Sequence, residues 1–166
     1  MNQRETIMEI YKVVSADETL NRLLHYLPEN ALDDPLDPAK PNIMDMGAAE
    51  RDELIQSQIK FTPTTDELIT DKPVSRLFFH AGRRKPNSSY YYADQNVFFD
   101  VFTHKEFNDK DLRLNWLVDR INELMSDQYI GNAFKVISLG GQPLSAPENY
   151  LGYSLQYKFD NKNVVK

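Results

Sequence analysis

Asp94-Gln-Asn-Val-Phe-Phe-Asp-Val-Phe-Thr-His104, followed after a polar break by Asp109-Lys-Asp-Leu-Arg-Leu-Asn-Trp-Leu-Val-Asp-Arg-Ile-Asn-Glu-Leu-Met125, is the stretch that decides the fold. Its first half is dense in β-branched and aromatic residues. Val97, Phe99 and Val101 fall on one face and Phe98, Phe102 and His104 on the other, the pattern of a long strand buried over most of both sides. Its second half changes period. Leu114, Leu117, Val118, Ile121, Leu124 and Met125 recur at three- and four-residue steps and form one stripe of a helix, which leaves Arg113, Asp119, Arg120, Asn122 and Glu123 for the outside. Asn108 is placed to cap that helix, with Asp109 and Asp111 in its first turn, where the helix dipole favours negative charge.

Working outward towards the N-terminus, residues 4–14 carry Ile7, Ile10, Tyr11 and Val14 at helical spacing. Ser15-Ala-Asp-Glu18 has the form of a capping box for a second helix running to about Tyr26 on Leu20, Leu23, Leu24 and Leu27, where Pro28 stops it. Over residues 28–47 the composition shifts to Pro28, Pro35, Pro38 and Pro41 among Asp33, Asp34, Asp37 and Asp45. This is an extended acidic loop, longer than an ordinary connection, and either solvated or held against a neighbouring subunit. Leu32, Leu36, Ile43 and Met44 favour the second alternative. Residues 48–59 suit a helical turn or two, and 61–72 an irregular segment or short hairpin.

Residues 73–81 alternate as a strand that Gly82 ends. Arg83-Arg-Lys-Pro-Asn-Ser-Ser89 makes a basic, turn-rich tip, and Tyr90, Tyr91 and Tyr92 lead back into the central strand as a long antiparallel hairpin. Past the helix, 134–139 is a strand candidate and Gly140-Gly-Gln-Pro-Leu-Ser-Ala-Pro147 a turn-forming connection. Residues 150–159 give the cleanest alternation, with Leu151, Tyr153, Leu155, Tyr157 and Phe159 on one face. Residues 160–166 read as a flexible tail. The sum is a single α+β domain over 1–166. Its mostly antiparallel four-stranded sheet, with a long projecting hairpin, is packed against the central helix and the N-terminal helices.

Composition narrows the function. A chain of 166 residues can bury a self-sufficient core, and a net charge of −6 argues against a general nucleic-acid binder while suiting a protein that must repel DNA or present an acidic face. With no cysteine there is no disulfide framework, thiolate metal site or cysteine nucleophile. The longest apolar run is far short of a membrane span and the first residues lack the apolar core of a signal peptide, so the expectation is a soluble protein made in a cytoplasm, without a membrane partner. Asp100 and His104 share a strand face that His80 can approach, and two histidines with a carboxylate can hold a metal. No His-Glu-x-x-His, Gly-x-Ser-x-Gly or glycine-rich phosphate loop accompanies them, so neither catalytic residue, cofactor nor metal is expected. The Arg83, Arg84 and Lys85 tip suits a solvated hairpin end, a local phosphate contact, or an acidic partner. For the last, the Asp33, Asp34 and Asp37 loop of an adjacent copy is a ready candidate.

Three runs carry a resemblance: Asp94-x-x-Val-Phe-Phe-Asp-Val-Phe-x-His104, then Asp111-x-Arg-Leu-x-Trp-x-x-Asp-Arg-Ile-Asn-Glu-Leu124, and finally Pro147-x-Asn-Tyr-x-Gly-Tyr-x-Leu-x-Tyr157. In this order they resemble the neck and tail-completion proteins of tailed bacteriophages, the group of tail terminators and tail-to-head joining proteins. The resemblance covers 73–159 well and the N-terminal part loosely, and the proline-rich loop departs from the shorter members. It implies a non-enzymatic virion protein, assembled in the host cytoplasm into a ring, commonly a hexamer. Such a ring caps the tail tube, ends its polymerisation and receives the head connector or stopper, leaving a channel through which DNA passes without specific binding. Arg83, Arg84, Lys85 and Tyr90, Tyr91, Tyr92 would then meet partner rings or neighbouring copies. Arg113 and Arg120 would pair with the next subunit. A head-completion adaptor or stopper, and a small hydrolase, are the competing expectations.

Overall fold

The computed structural model describes residues 2–69, 72–86, 92–130 and 134–162. In chain order its elements are α1 (Gln3–Ala16), α2 (Glu18–His25), α3 (Ala48–Gln58), β1 (Ile59–Lys60), a 3-10 turn (Asp66–Ile69), β2 (Ser75–Pro86), β3 (Tyr92–His104), α4 (Lys105–Asp111), α5 (Arg113–Met125), β4 (Tyr129–Ile130), β5 (Phe134–Lys135), β6 (Ile137–Leu144) and β7 (Tyr150–Lys162). The fold is α+β. The main sheet has five strands rather than four, in the order β1-β2-β3-β7-β6, and only the short β1–β2 pairing is parallel.

β3 is the middle strand, and the alternation that marks it in the sequence sorts its side chains as expected. Val97, Phe99 and Val101 join Leu77 and Phe79 of β2 and Leu155, Tyr157 and Phe159 of β7 on the face covered by α1, α2 and α5. Phe79 stacks on Phe99 at 5.6 Å between centroids, and Phe99 meets Tyr157 edge-on at 5.5 Å. Leu117, Ile121 and Met125 of α5 are fully buried against this face. Each contributes roughly 1.5–3 kcal/mol by leaving water. On the opposite face, among the described residues, Phe78, Phe102 and Tyr150 pack with Leu68, Val74, Leu144 and Ala146.

Several boundaries differ from expectation, each for a local reason. The capping box lies at Asn2 and Glu5, at the start of α1. Helix α1 instead runs through Ser15, and Asp17 caps α2 by accepting from Leu20 N at 2.7 Å. The central helix is two helices, because Leu112 takes a left-handed backbone (φ 55°) between α4 and α5. His104, not Asn108, caps the first of them, with Nδ1 accepting from Glu106 N. Asn108 does serve the second, its side-chain oxygen accepting from Leu114 N at 3.2 Å.

Gly82 does not end β2 but sits in a bulge of the β2–β3 ladder, where the buried Gln95 amide donates to Gly82 O at 3.0 Å. Gly140 to Leu144, expected as a turn, is strand: β6 pairs with β7 along its length, and Gly140 (φ 98°) absorbs a bulge. β7 likewise continues to Lys162, opposite Tyr92, beyond the point where a loose tail was expected. Residues 163–166 lie outside the described residues.

Candidate assembly surface

The acidic loop is ordered around one side chain of its own chain. Arg22 on α2 is 4% exposed, and its guanidinium donates to Pro35 O (2.9 Å), Asp37 O (2.5 Å), Lys40 O (3.2 Å) and Asn42 Oδ1 (3.0 Å). One turn earlier, the Glu18 carboxylate accepts from Ile43 N and Met44 N, both at 2.8 Å. Prolines cannot supply N–H groups to a ladder, so the loop's carbonyls need an outside donor, and a buried arginine offers several at once.

Within the loop, Asn30, Asp34 and Asp37 each turn the chain by accepting from the backbone N–H two residues on. Asp33 is bound by Lys40 at 2.5 Å; that hydrogen bond above all, with help from Glu29 N–H, holds its carboxyl below the usual carboxylate range. Ile43 is fully buried and Met44 is half-buried against the main core, so these two serve the chain's own core, while Leu36 is half-buried. Leu32 is the exception: it is 94% exposed.

Arg83, Arg84 and Lys85 stand exposed at the end of β2, where Arg84 pairs in register with Gln95 and Lys85 with Asp94. Tyr90 and Tyr91, expected to act with them, lie outside the described residues, as does the side chain of Tyr92.

The two helix arginines are not surface groups awaiting a neighbour. Arg113 is completely buried: Nη1 donates to Leu23 O (2.6 Å) and Tyr26 O (2.5 Å), while Nε and Nη2 grip Asp111 Oδ2 at 3.0 and 2.6 Å. The carbonyls it meets are the orphans at the C-terminus of α2, where positive charge is also favoured by the helix dipole. Arg120 binds Asp17 through Nε (3.0 Å) and Nη2 (2.6 Å) and reaches Glu123 at 2.8 Å. A helical wheel places both outside the apolar stripe, but α2 occupies that side.

On the open face of the sheet, Asp100 accepts from Ser154 Oγ at 2.5 Å and lies 3.0 Å from His80 Nε2. His80 stacks on Phe98 at 5.5 Å. The approach of His80 to Asp100 is as the strand register predicts. His104 does not join them, since it is engaged at the start of α4 and rests edge-on against Tyr150. Among the described residues no group of three ligands able to hold a metal ion forms. The cluster is also not a nucleophile–base pair: the carboxylate sits between serine and histidine, so the serine proton is directed to Asp100 rather than to a ring nitrogen. Its arrangement ties β2, β3 and β7 together across the face.

Leu112 was not visible as a surface feature in the sequence. It is 64% exposed, on a backbone that glycine adopts freely and leucine does not. A leucine inside an apparently continuous helical pattern carries no signal for such a conformation.

A family model described as YomW matches residues 17–159, nearly the whole of α2 through β7. The chain belongs to the YomW family. It is 27% identical over 165 residues to the SPbeta prophage-derived uncharacterized protein YomW of Bacillus subtilis (strain 168), a match that covers 93% of this chain and 95% of that protein. The part of the resemblance that points to a bacteriophage therefore stands: this YomW family member is phage-derived.

Proposed function

We propose that this chain is a structural protein of the virion that forms a ring at the head–tail junction, caps the tail tube, ends tube polymerisation and joins the tail to the head connector. The observation that carries the proposal is the pairing of two complementary ends on one phage-derived fold. An exposed basic strand end, Arg83 to Lys85, closes one side of the sheet, and an ordered acidic loop, 28–47, lies with the helices. Complementary patches at different places on one surface make heterologous contacts, which close into rings when the rotation allows. The net charge of −6 suits a channel through which DNA slides without adhering.

The test has two readouts. Mass spectrometry of purified virions is expected to find the chain, and removal of its coding sequence from an inducible prophage is expected to leave separate heads and tails in electron micrographs. Joined, infectious particles at normal yield would overturn the role. Capture on filled heads rather than on tail tubes would move the protein to the head side of the neck, as an adaptor or stopper.

A further inference from the structure

We propose that the cleft between the ends of α2 and α3 and the entry to β2 binds a small phosphate-bearing molecule. Lys72 and Arg76 take its anionic head, and Leu27, Leu54 and Val74 take a short apolar body. These residues line one cleft of about 240 Å³, with His25 and Gln58 on its polar side. That is less than the roughly 300–1,000 Å³ of drug-sized sites, so a ligand of few atoms fits.

The cations of the cleft are not consumed by the chain. None of the described residues that line it is acidic, in a protein whose net charge is −6. Lys72 is exposed and makes no hydrogen bond or ion pair among the described residues. Arg76 donates from Nη1 to Ser75 O at 2.9 Å, while its buried Nε has no hydrogen-bond partner and stands 3.6 Å from Glu67 Oε2. Glu67 is bound more closely by Lys60, whose hydrogen bond is the main cause that lowers its carboxyl.

Nor do the helix ends use these cations. At the end of α2, Arg113 donates to Leu23 O and Tyr26 O. At the end of α3, Ser57 Oγ donates to Leu54 O at 2.7 Å and Ile59 N to Ile55 O. Lys72 and Arg76 are therefore left facing the cleft without an acceptor of their own at either helix end.

The polar side of the cleft is also incomplete. Gln58 is 5% exposed, with Nε2 3.4 Å from His25 Nδ1 and Oε1 lacking any hydrogen-bond partner. Buried polar groups are as a rule paired, so such a lining marks a place where something else binds. Burial lowers the His25 pKa, and the Lys72 charge lowers it further. A bound anion supplies the negative charge that would offset that cation.

Two cations suit a phosphate monoester, which carries close to two negative charges at neutral pH, better than a singly charged carboxylate. Leu27, Leu54 and Val74 are half-buried, and a carbon chain attached to the phosphate leaves water against them.

Isothermal titration calorimetry of the full chain tests the site with hexyl phosphate, inorganic phosphate, hexanoate and hexanol. Hexyl phosphate is expected to bind at one site, roughly ten-fold or more tighter than inorganic phosphate, and hexanol not measurably. Added salt is expected to weaken binding. Lys72→Ala is expected to lose about ten-fold or more in affinity with circular dichroism unchanged, and Lys72→Arg to keep most of it. Lys85→Ala removes an exposed cation elsewhere and is expected to change nothing. The His25 ring protons, followed by NMR, are expected to titrate at higher pH with hexyl phosphate bound. Absence of saturable binding, Lys72→Ala that binds like wild type, or an equal loss in Lys85→Ala would overturn the site. Hexanoate binding as tightly as hexyl phosphate would overturn the choice of phosphate, and an unmoved His25 titration would overturn its placement in this cleft.

Discussion

Arg120 and Asp17, 103 residues apart, meet in a two-bond pair, with Nη2 2.6 Å from Oδ2 and Nε 3.0 Å from Oδ1. The same carboxylate caps α2 through Leu20 N, so one side chain both starts a helix and fastens α5 to it. Asp17→Ala removes the cap and the partly buried pair together. Urea denaturation is expected to show a loss of about 2–3 kcal/mol. Asp17→Asn keeps the cap and is expected to lose about 1 kcal/mol.

Arg113 gives the larger effect. Its charge is wholly buried and the side chain of its partner Asp111 is nearly so, with Asp111 Oδ1 lacking any hydrogen bond. Arg113→Met strands a buried carboxylate and two helix-end carbonyls, and the expected loss is about 3–5 kcal/mol in the same measurement. Adding Asp111→Asn removes the stranded charge. Part of the stability is then expected to return; no recovery would mean that the lost carbonyl contacts dominate.

Arg22 holds the 28–47 loop more than it holds the core. Arg22→Ala deprives Pro35 O, Asp37 O, Lys40 O and Asn42 of their shared donor. Limited proteolysis is expected to cut within 28–47 well before global unfolding, whereas the wild-type loop survives the same treatment. Arg22→Lys is expected to rescue only in part, because one ammonium cannot reproduce the spread of the guanidinium.

His25 sets a pH dependence. Burial lowers its pKa below the usual 6.5, and the nearby Lys72 charge lowers it further. A base depressed in the folded state binds its proton more readily when unfolded, so protons favour unfolding. Stability is therefore expected to be full above the unfolded pKa, near 6.5, and to fall as pH drops from there towards the folded value. His25→Gln, placed beside Gln58 where the ring now sits, is expected to flatten the melting temperature across that window. An unchanged slope would assign the effect to other groups.

Periodicity was readable wherever one side of an element is buried and the other is not. The β3 and β7 alternations and the Leu117, Ile121, Met125 stripe all survive into the fold, because burial on one face imposes its period on the residues. Gly140, Gly141 and Pro143 carry turn chemistry, yet they form the edge strand β6. Pairing with β7 overrides the local preference, and an edge needs hydrogen bonds on one side only. The basic β2 end was readable as a run of like charges. The break at Leu112 was not, since no residue there prefers the left-handed backbone it adopts.

The amino-acid order alone therefore determined the α+β class, the central strand and helix, the acidic loop and the basic hairpin arm, because each depends on neighbours within a few residues. Only the tertiary structure decided what the long polar side chains do. Arg113 and Arg120 read as outward-facing cations in one dimension and Arg22 carried no signal of its role, yet each reaches acceptors far away in sequence, 90, 103 and 13 residues from its own position. A side chain of that length finds its partner through the packing of helices around it, and no local pattern encodes which carbonyl or carboxylate that packing brings within reach.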